Sequence, residues 1–117
     1  MSATTLTRVP DGDFSGPLED WGPRVGADVG DPVMSGRIFY DADGIQIGVW
    51  ECTPGGWVIE NRPDTETVRI LAGRARLTDA GGAAVELTAG DALVLPKGWS
   101  GRWDILETVR KHFVVVT

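Results

Sequence analysis

Residues 66–99 read ETVRILAGRARLTDAGGAAVELTAGDALVLPKGW. Four short runs stand out: Thr67–Ala72, Arg74–Asp79, Ala84–Thr88 and Ala92–Leu95. Each is rich in β-branched or aliphatic residues and is bounded by a turn signal, as strands are. Gly81-Gly82, between Arg74–Asp79 and Ala84–Thr88, is the clearest hairpin signal. Ala89-Gly90-Asp91 and Pro96-Lys97-Gly98 punctuate the runs that follow.

Outward from this stretch the pattern continues. Gly36–Asp41, Ile45–Cys52 and Trp57–Asn61 precede it, and Arg102–Leu106 and Val109–Val116 follow. Asp43-Gly44, Pro54-Gly55-Gly56 and Arg62-Pro63-Asp64 supply the breaks. Many short strands at regular spacing, with no helical period between them, predict an all-β sandwich or barrel. Residues 1–34 differ. Pro10, Pro17, Pro23 and Pro32 interrupt them, and they carry glycine and acid with little periodicity. They read as an irregular N-terminal arm with one short helical turn, lying on the barrel or on a partner subunit, and residues 35–117 as the β domain.

A chain of 117 residues suits one domain and buries a core without disulfide staples. The net charge of −6 repels phosphate backbones and anionic lipid, which excludes nucleic acid and membranes as partners. Cys52 is the single cysteine, so no internal disulfide forms and a reducing compartment is expected. Neither a secretory h-region nor a membrane-length apolar run is present, which points to the cytoplasm.

Strand alternation sorts side chains by face. With Arg69 outward, Glu66, Val68 and Ile70 point into the barrel; with Arg102 and Asp104 outward, Gly101, Trp103 and Ile105 point in. In Trp57–Arg62, the phase that turns Glu60 inward takes Val58 and Arg62 with it. The interior is then apolar with a few ionisable groups near one mouth, and buried charges require partners or a function. For Val109–Val116 alternation does not decide between Lys111 and His112, because Val114, Val115 and Val116 are all apolar.

Several of these runs resemble a known family. Glu66 to Arg74 looks like the end of the first cupin motif, and Gly90 to Trp99 like the start of the second. Trp103-Asp104-Ile105-Leu106-Glu107-Thr108-Val109-Arg110-Lys111-His112-Phe113 is similar to the C-terminal signature of the cupin-3 group, which includes (S)-ureidoglycine aminohydrolase-like proteins. Gly48 to Gly55 also resembles that group. The resemblance covers roughly Ser35 to the C-terminus. It implies a cupin jelly-roll β-barrel, often dimeric, with the ligand site inside the barrel. Metal-binding cupins carry a His-x-His pair and a Glu on the first motif and a His on the second. By that resemblance the positions fall here on Glu60, Arg62, Glu66 and Gly101. Against the Glu, His, His and Gln of ureidoglycine aminohydrolases, only Glu60 matches.

Transition metals prefer imidazole nitrogen, and Arg62 opposes a bound cation. The favoured reading therefore has no metal and no cofactor. Arg62 bridges Glu60 and Glu66, or its fork holds a ligand carboxylate. Glu60, Arg62, Glu66, Trp103 and Lys111 are the candidate ligand-pocket residues, and catalytic residues are not assigned. Trp50, Trp57 and Trp99 either extend an aromatic wall or fill core and interface. His112, the lone histidine, reads as structural, and Cys52, beside Glu51, as a half-buried strand residue. The expected function is binding of a small polar metabolite by a homodimer. The alternatives are a metal-dependent enzyme resembling ureidoglycine aminohydrolase, or a metal-free acid–base enzyme using Glu60 and Glu66.

Overall fold

A computed structural model describes residues 4–117. The elements run α1 (Gly12–Ser15), β1 (Glu19–Pro23), β2 (Ala27–Val29), β3 (Val33–Ala42), β4 (Ile45–Cys52), β5 (Gly55–Ile59), β6 (Thr65–Asp79), β7 (Ala84–Thr88), β8 (Ala92–Leu95) and β9 (Gly101–Val116). Every strand pairing among the described residues is antiparallel. The sheet curls on itself into the jelly-roll barrel that the sequence predicts. Among the described residues no helix is long and apolar enough to cross a membrane.

β9 is the spine. Its second half pairs with β4 from Val109 to Val116, its first half with β5 from Gly101 to Ile105, and its other edge with β6 along nearly the whole length. The breaks expected at Gly73 and between Leu106 and Val109 are bends within β6 and β9, not turns. Gly73 makes the bend: its φ is +86°, and a Cβ there would lie 2.0 Å from the Thr108 carbonyl oxygen. Only glycine combines that conformation with that approach. Tight turns close the hairpins as their sequences require, with positive φ at both Asp43 and Gly44 between β3 and β4.

The N-terminal arm is more ordered than its composition suggests. β1 adds to the free edge of β3 and β2 to the free edge of β5. They stand at opposite ends of the row β1-β3-β4-β9-β5-β2, yet only Arg24, Val25 and Gly26 separate them in sequence. Those three residues carry the chain across the gap in the curled sheet. The Arg24 amide donates to the Pro32 carbonyl at 2.9 Å and fixes the crossing. Asp28 clamps β2 to β9: Arg102 donates to both carboxylate oxygens at 2.8 Å. Backbone pairing here outweighs the scattered prolines, because an open sheet edge leaves unmet donors and acceptors. α1 packs on the outer face, where Arg110 donates to the carbonyls of Phe14 and Gly16. The first three residues of the predicted arm lie outside the described residues.

The core joins both ends of the barrel: Val68, Ile70, Ala75 and Leu77 from β6, Trp103, Ile105 and Val109 from β9, with Cys52, Trp57, Leu87 and Leu95. The alternation read for β6 and for the start of β9 is borne out at Glu66, Val68, Ile70, Trp103 and Ile105.

Candidate functional site

A cavity of about 140 Å³ opens inside the barrel, lined by Trp50, Trp57, Ile59, Trp103, Lys111, Glu66, Arg62 and Arg24. Each arrives by a traceable route. Trp57 and Trp103 are directly paired across β5 and β9, so both rings project to the same face. Their planes lie 13° apart, with centroids separated by 6.4 Å. Trp50 pairs with Lys111 across β4 and β9 and sets its ring edge-on to both, with centroids at 6.1 Å. Together the three indoles make one wall.

The Lys111 ammonium stands against that wall, 4.4 Å from the Trp50 centroid and 4.8 Å from that of Trp103. Lys111 is 7% exposed and Glu66 4%, and the Lys111 Nζ donates to Glu66 Oε2 at 2.9 Å. Arg62 holds the other Glu66 oxygen at 3.0 Å and Asp64 Oδ1 at 3.0 Å. The ammonium is thus met by a carboxylate and two π-faces, which is how a buried lysine remains tolerable. Two atoms of this cluster, Arg62 Nε and Asp64 Oδ1, are buried without a hydrogen-bond partner. Arg24 reaches the mouth from the arm, with its guanidinium carbon 4.9 Å from the Trp57 centroid.

Four of the five sequence-predicted residues, Arg62, Glu66, Trp103 and Lys111, therefore meet at one cavity. Glu60 does not: it is exposed and absent from the cavity lining. The alternation assumed for Trp57–Arg62 is one residue out of phase. Pairing with Trp103 turns Trp57 inward, Ile59 follows, and Val58 faces solvent at 52% exposure. Arg62 still reaches the cavity because Asn61, at φ +46°, breaks the alternation before it. The bridge between two carboxylates survives with a different partner, Asp64 in place of Glu60. Glu60 and Glu66 do not face each other as an acid–base pair.

Lys111, not His112, faces inward. Val109, Lys111 and Phe113 are all buried, while His112 packs on the outer face with Phe14 edge-on at 5.2 Å. Burial pushes its pKa below the ordinary histidine value. A mostly apolar depression beside it, formed by β6, β8 and β9, sets Thr67, Arg69 and His112 among aliphatic side chains. Burial raises the Cys52 thiol to about 11, so it is a core residue and not a nucleophile. Trp99 lies away from the cavity, its indole N–H donating to Asp79 at 2.7 Å. Sequence reasoning did not find Arg24 or Ile59.

The residues present do not fit a transition metal. Among the described residues no three His, Cys, Asp or Glu side chains are placed to hold one. The carboxylates that are close, Glu66 and Asp64, already neutralise Lys111 and Arg62. A divalent cation would have to displace those groups while facing their charge.

Comparison with known proteins agrees with the barrel. Residues 41–113 match the EutQ-like cupin domain. The chain belongs to that family. Among solved structures, this cupin is similar to a protein of unknown function of the DUF861 family from Pseudomonas syringae pv. tomato, with 22% identity and a TM-score of 0.81 over 89% of this chain and 46% of the other. It thus spans under half of that protein's length. It is also similar to a putative ethanolamine utilization protein Q from Salmonella typhimurium, with 20% identity and a TM-score of 0.66 over 81% of this cupin and 76% of that chain. A DUF861 protein from Thermotoga maritima is 34% identical, with a TM-score of 0.53, over 56% of this cupin and 73% of that chain. No curated protein matches. The cupin resemblance read from the sequence is therefore borne out for family and fold.

Proposed function

We propose that this cupin binds a small polar metabolite between the tryptophan wall and the Arg62–Glu66–Lys111 cluster. One observation carries the reading: Arg62 lines the cavity, and its Nε is buried without a hydrogen-bond partner. A buried donor left unmade costs about 1–3 kcal/mol. A ligand presenting an oxygen acceptor there recovers that cost, while its apolar body lies on the Trp57 and Trp103 faces. Glu66 and Lys111, locked to each other, hold the cluster's shape and keep its charge balanced. A metal-dependent hydrolase reading lacks donors and an acid–base reading lacks Glu60, which supports ligand binding over both.

The test is a thermal-shift screen of small polar metabolites, with hits titrated by tryptophan fluorescence. Bound ligand changes the emission, because Trp50, Trp57 and Trp103 line the cavity. The informative variant is Arg62→Lys, which keeps a cation for Glu66 and removes the Nε donor. Hits are expected to bind at least tenfold more weakly to it, a loss of about 1.4 kcal/mol. Hits with unchanged affinity for Arg62→Lys would refute the reading.

A further inference from the structure

The charges around the cavity do not cancel. Lys111 and Arg62 are matched by Glu66 and Asp64, through contacts of 2.9 and 3.0 Å. Arg24 lines the same cavity and forms no ion pair with a carboxylate among the described residues. Its guanidinium donates to the neighbouring Val25 carbonyl and lies over Trp57. Topology puts it there, since it opens the three-residue crossing from β1 to β2. An uncompensated cation therefore stands at the mouth of a cavity whose inner charges are already balanced.

We propose that Arg24 reads the charge of the ligand, and that the ligand is a small, flat carboxylate with an aromatic or conjugated body. The inference rests on the cavity being the binding site, and it goes further by fixing the sign, the shape and the residue. The sign follows from the one positive charge in excess, because an anion completes the balance and a cation worsens it. The shape follows from the three indoles, Trp50, Trp57 and Trp103, that line the cavity, since a planar π-system packs against aromatic walls better than a puckered ring. The size follows from a cavity of about 140 Å³, which suits a single ring. Guanidinium and carboxylate are matched in geometry, so arginine is suited to the role. Arg24 binds the ligand and takes no part in bond making.

The experiment is calorimetric titration of the full chain at low ionic strength with three probes: benzoate, benzamide (same ring, no charge) and cyclohexanecarboxylate (same charge, puckered ring). Wild type is expected to bind benzoate at least tenfold more tightly than either other probe. Arg24→Gln is expected to bind benzoate at least tenfold more weakly, with benzamide affinity and melting temperature unchanged. Arg24→Lys recovers part of the loss, and Arg69→Gln on the outer face changes nothing. Benzoate binding equally well to Arg24→Gln would overturn the role of Arg24 and leave the cavity reading standing. Wild type that binds neutral polar metabolites at the cavity but no acid would overturn the ligand class alone. Wild type that binds neither kind would overturn both.

Discussion

Replacing Lys111 by methionine separates the two halves of the interior cluster. Methionine keeps the apolar volume against Trp50 and Trp103 and removes the ammonium. The lost partner is close: Lys111 Nζ lies 2.9 Å from Glu66 Oε2. At an effective dielectric of 20, a separation near 3 Å gives a Coulomb attraction of about 6 kcal/mol. Desolvation of the ammonium offsets much of it, and methionine avoids that penalty. What remains is the stranded carboxylate. Glu66 is 4% exposed, and removing one partner of a buried pair costs about 3–5 kcal/mol. Arg62 still holds the other oxygen at 3.0 Å, so the low end applies, about 3 kcal/mol. For a chain of this length that is a fall in Tm of about 12 °C. Adding Glu66→Gln removes the stranded charge, so the double variant should be about 2 kcal/mol more stable than the sum of the single losses. Urea unfolding at pH 7 of the wild type, both single variants and the double variant completes the cycle. A Lys111→Met loss below 1 kcal/mol, or strict additivity, would refute the claim that the pair is energetically coupled.

Two other expectations follow from the barrel's construction. Gly73→Ala forces a methyl into the Thr108 carbonyl at positive φ and should cost more than about 3 kcal/mol in denaturant melts; near-wild-type stability would mean that β6 bends by another route. Arg102 holds the Asp28 carboxyl below its usual 3.8, chiefly by hydrogen bonding. The unfolded chain therefore takes up that proton first, so the clamp's contribution is full above the unfolded value and is lost as pH falls below 3.8 through the lowered folded value. Hydrogen exchange of residues 24–29 should accelerate on acidification before the barrel opens, and Asp28→Asn should abolish that step. Exchange that rises at the same pH in arm and barrel would show that the clamp is not what acid releases.

Most of the barrel was legible because its strands alternate cleanly and its turns carry the residues their geometry needs. Ile45–Cys52, Ala84–Thr88 and Ala92–Leu95 are the strands observed, to the residue. The bend in β6 was not, since glycine marks a kink and a turn with the same letter, and in β9 Glu107-Thr108 interrupts the apolar pattern without separating a bend from a break. At the site, Glu66 and Trp103 lie on long strands where phase accumulates over several residues. Glu60 lies beyond a five-residue strand, where the pairing of Trp57 with Trp103 outweighs local pattern. Lys111 was readable after all: Val109 and Phe113 flank it at even spacing, and apolar bracketing of that kind marks an inward lysine. Arg24 was out of reach, because its position depends on β1 and β2 joining opposite ends of one row. Nothing in the arm's own sequence encodes that relation.

Three strands, β4, β5 and β6, share β9 as a partner, and β9 is made after all of them. A nascent chain extending only to residue 100 can form local hairpins such as β3–β4 and β6–β7. It has no barrel, since the surfaces that should meet across β9 are still separate. Contacts that join residues so far apart in sequence form slowly, and the wait leaves apolar strand edges open to other chains. Synthesis of residues 101–116 is therefore the event that lets the three indoles come together. Tryptophan emission during refolding reports closure itself, and chaperone dependence should end when β9 emerges.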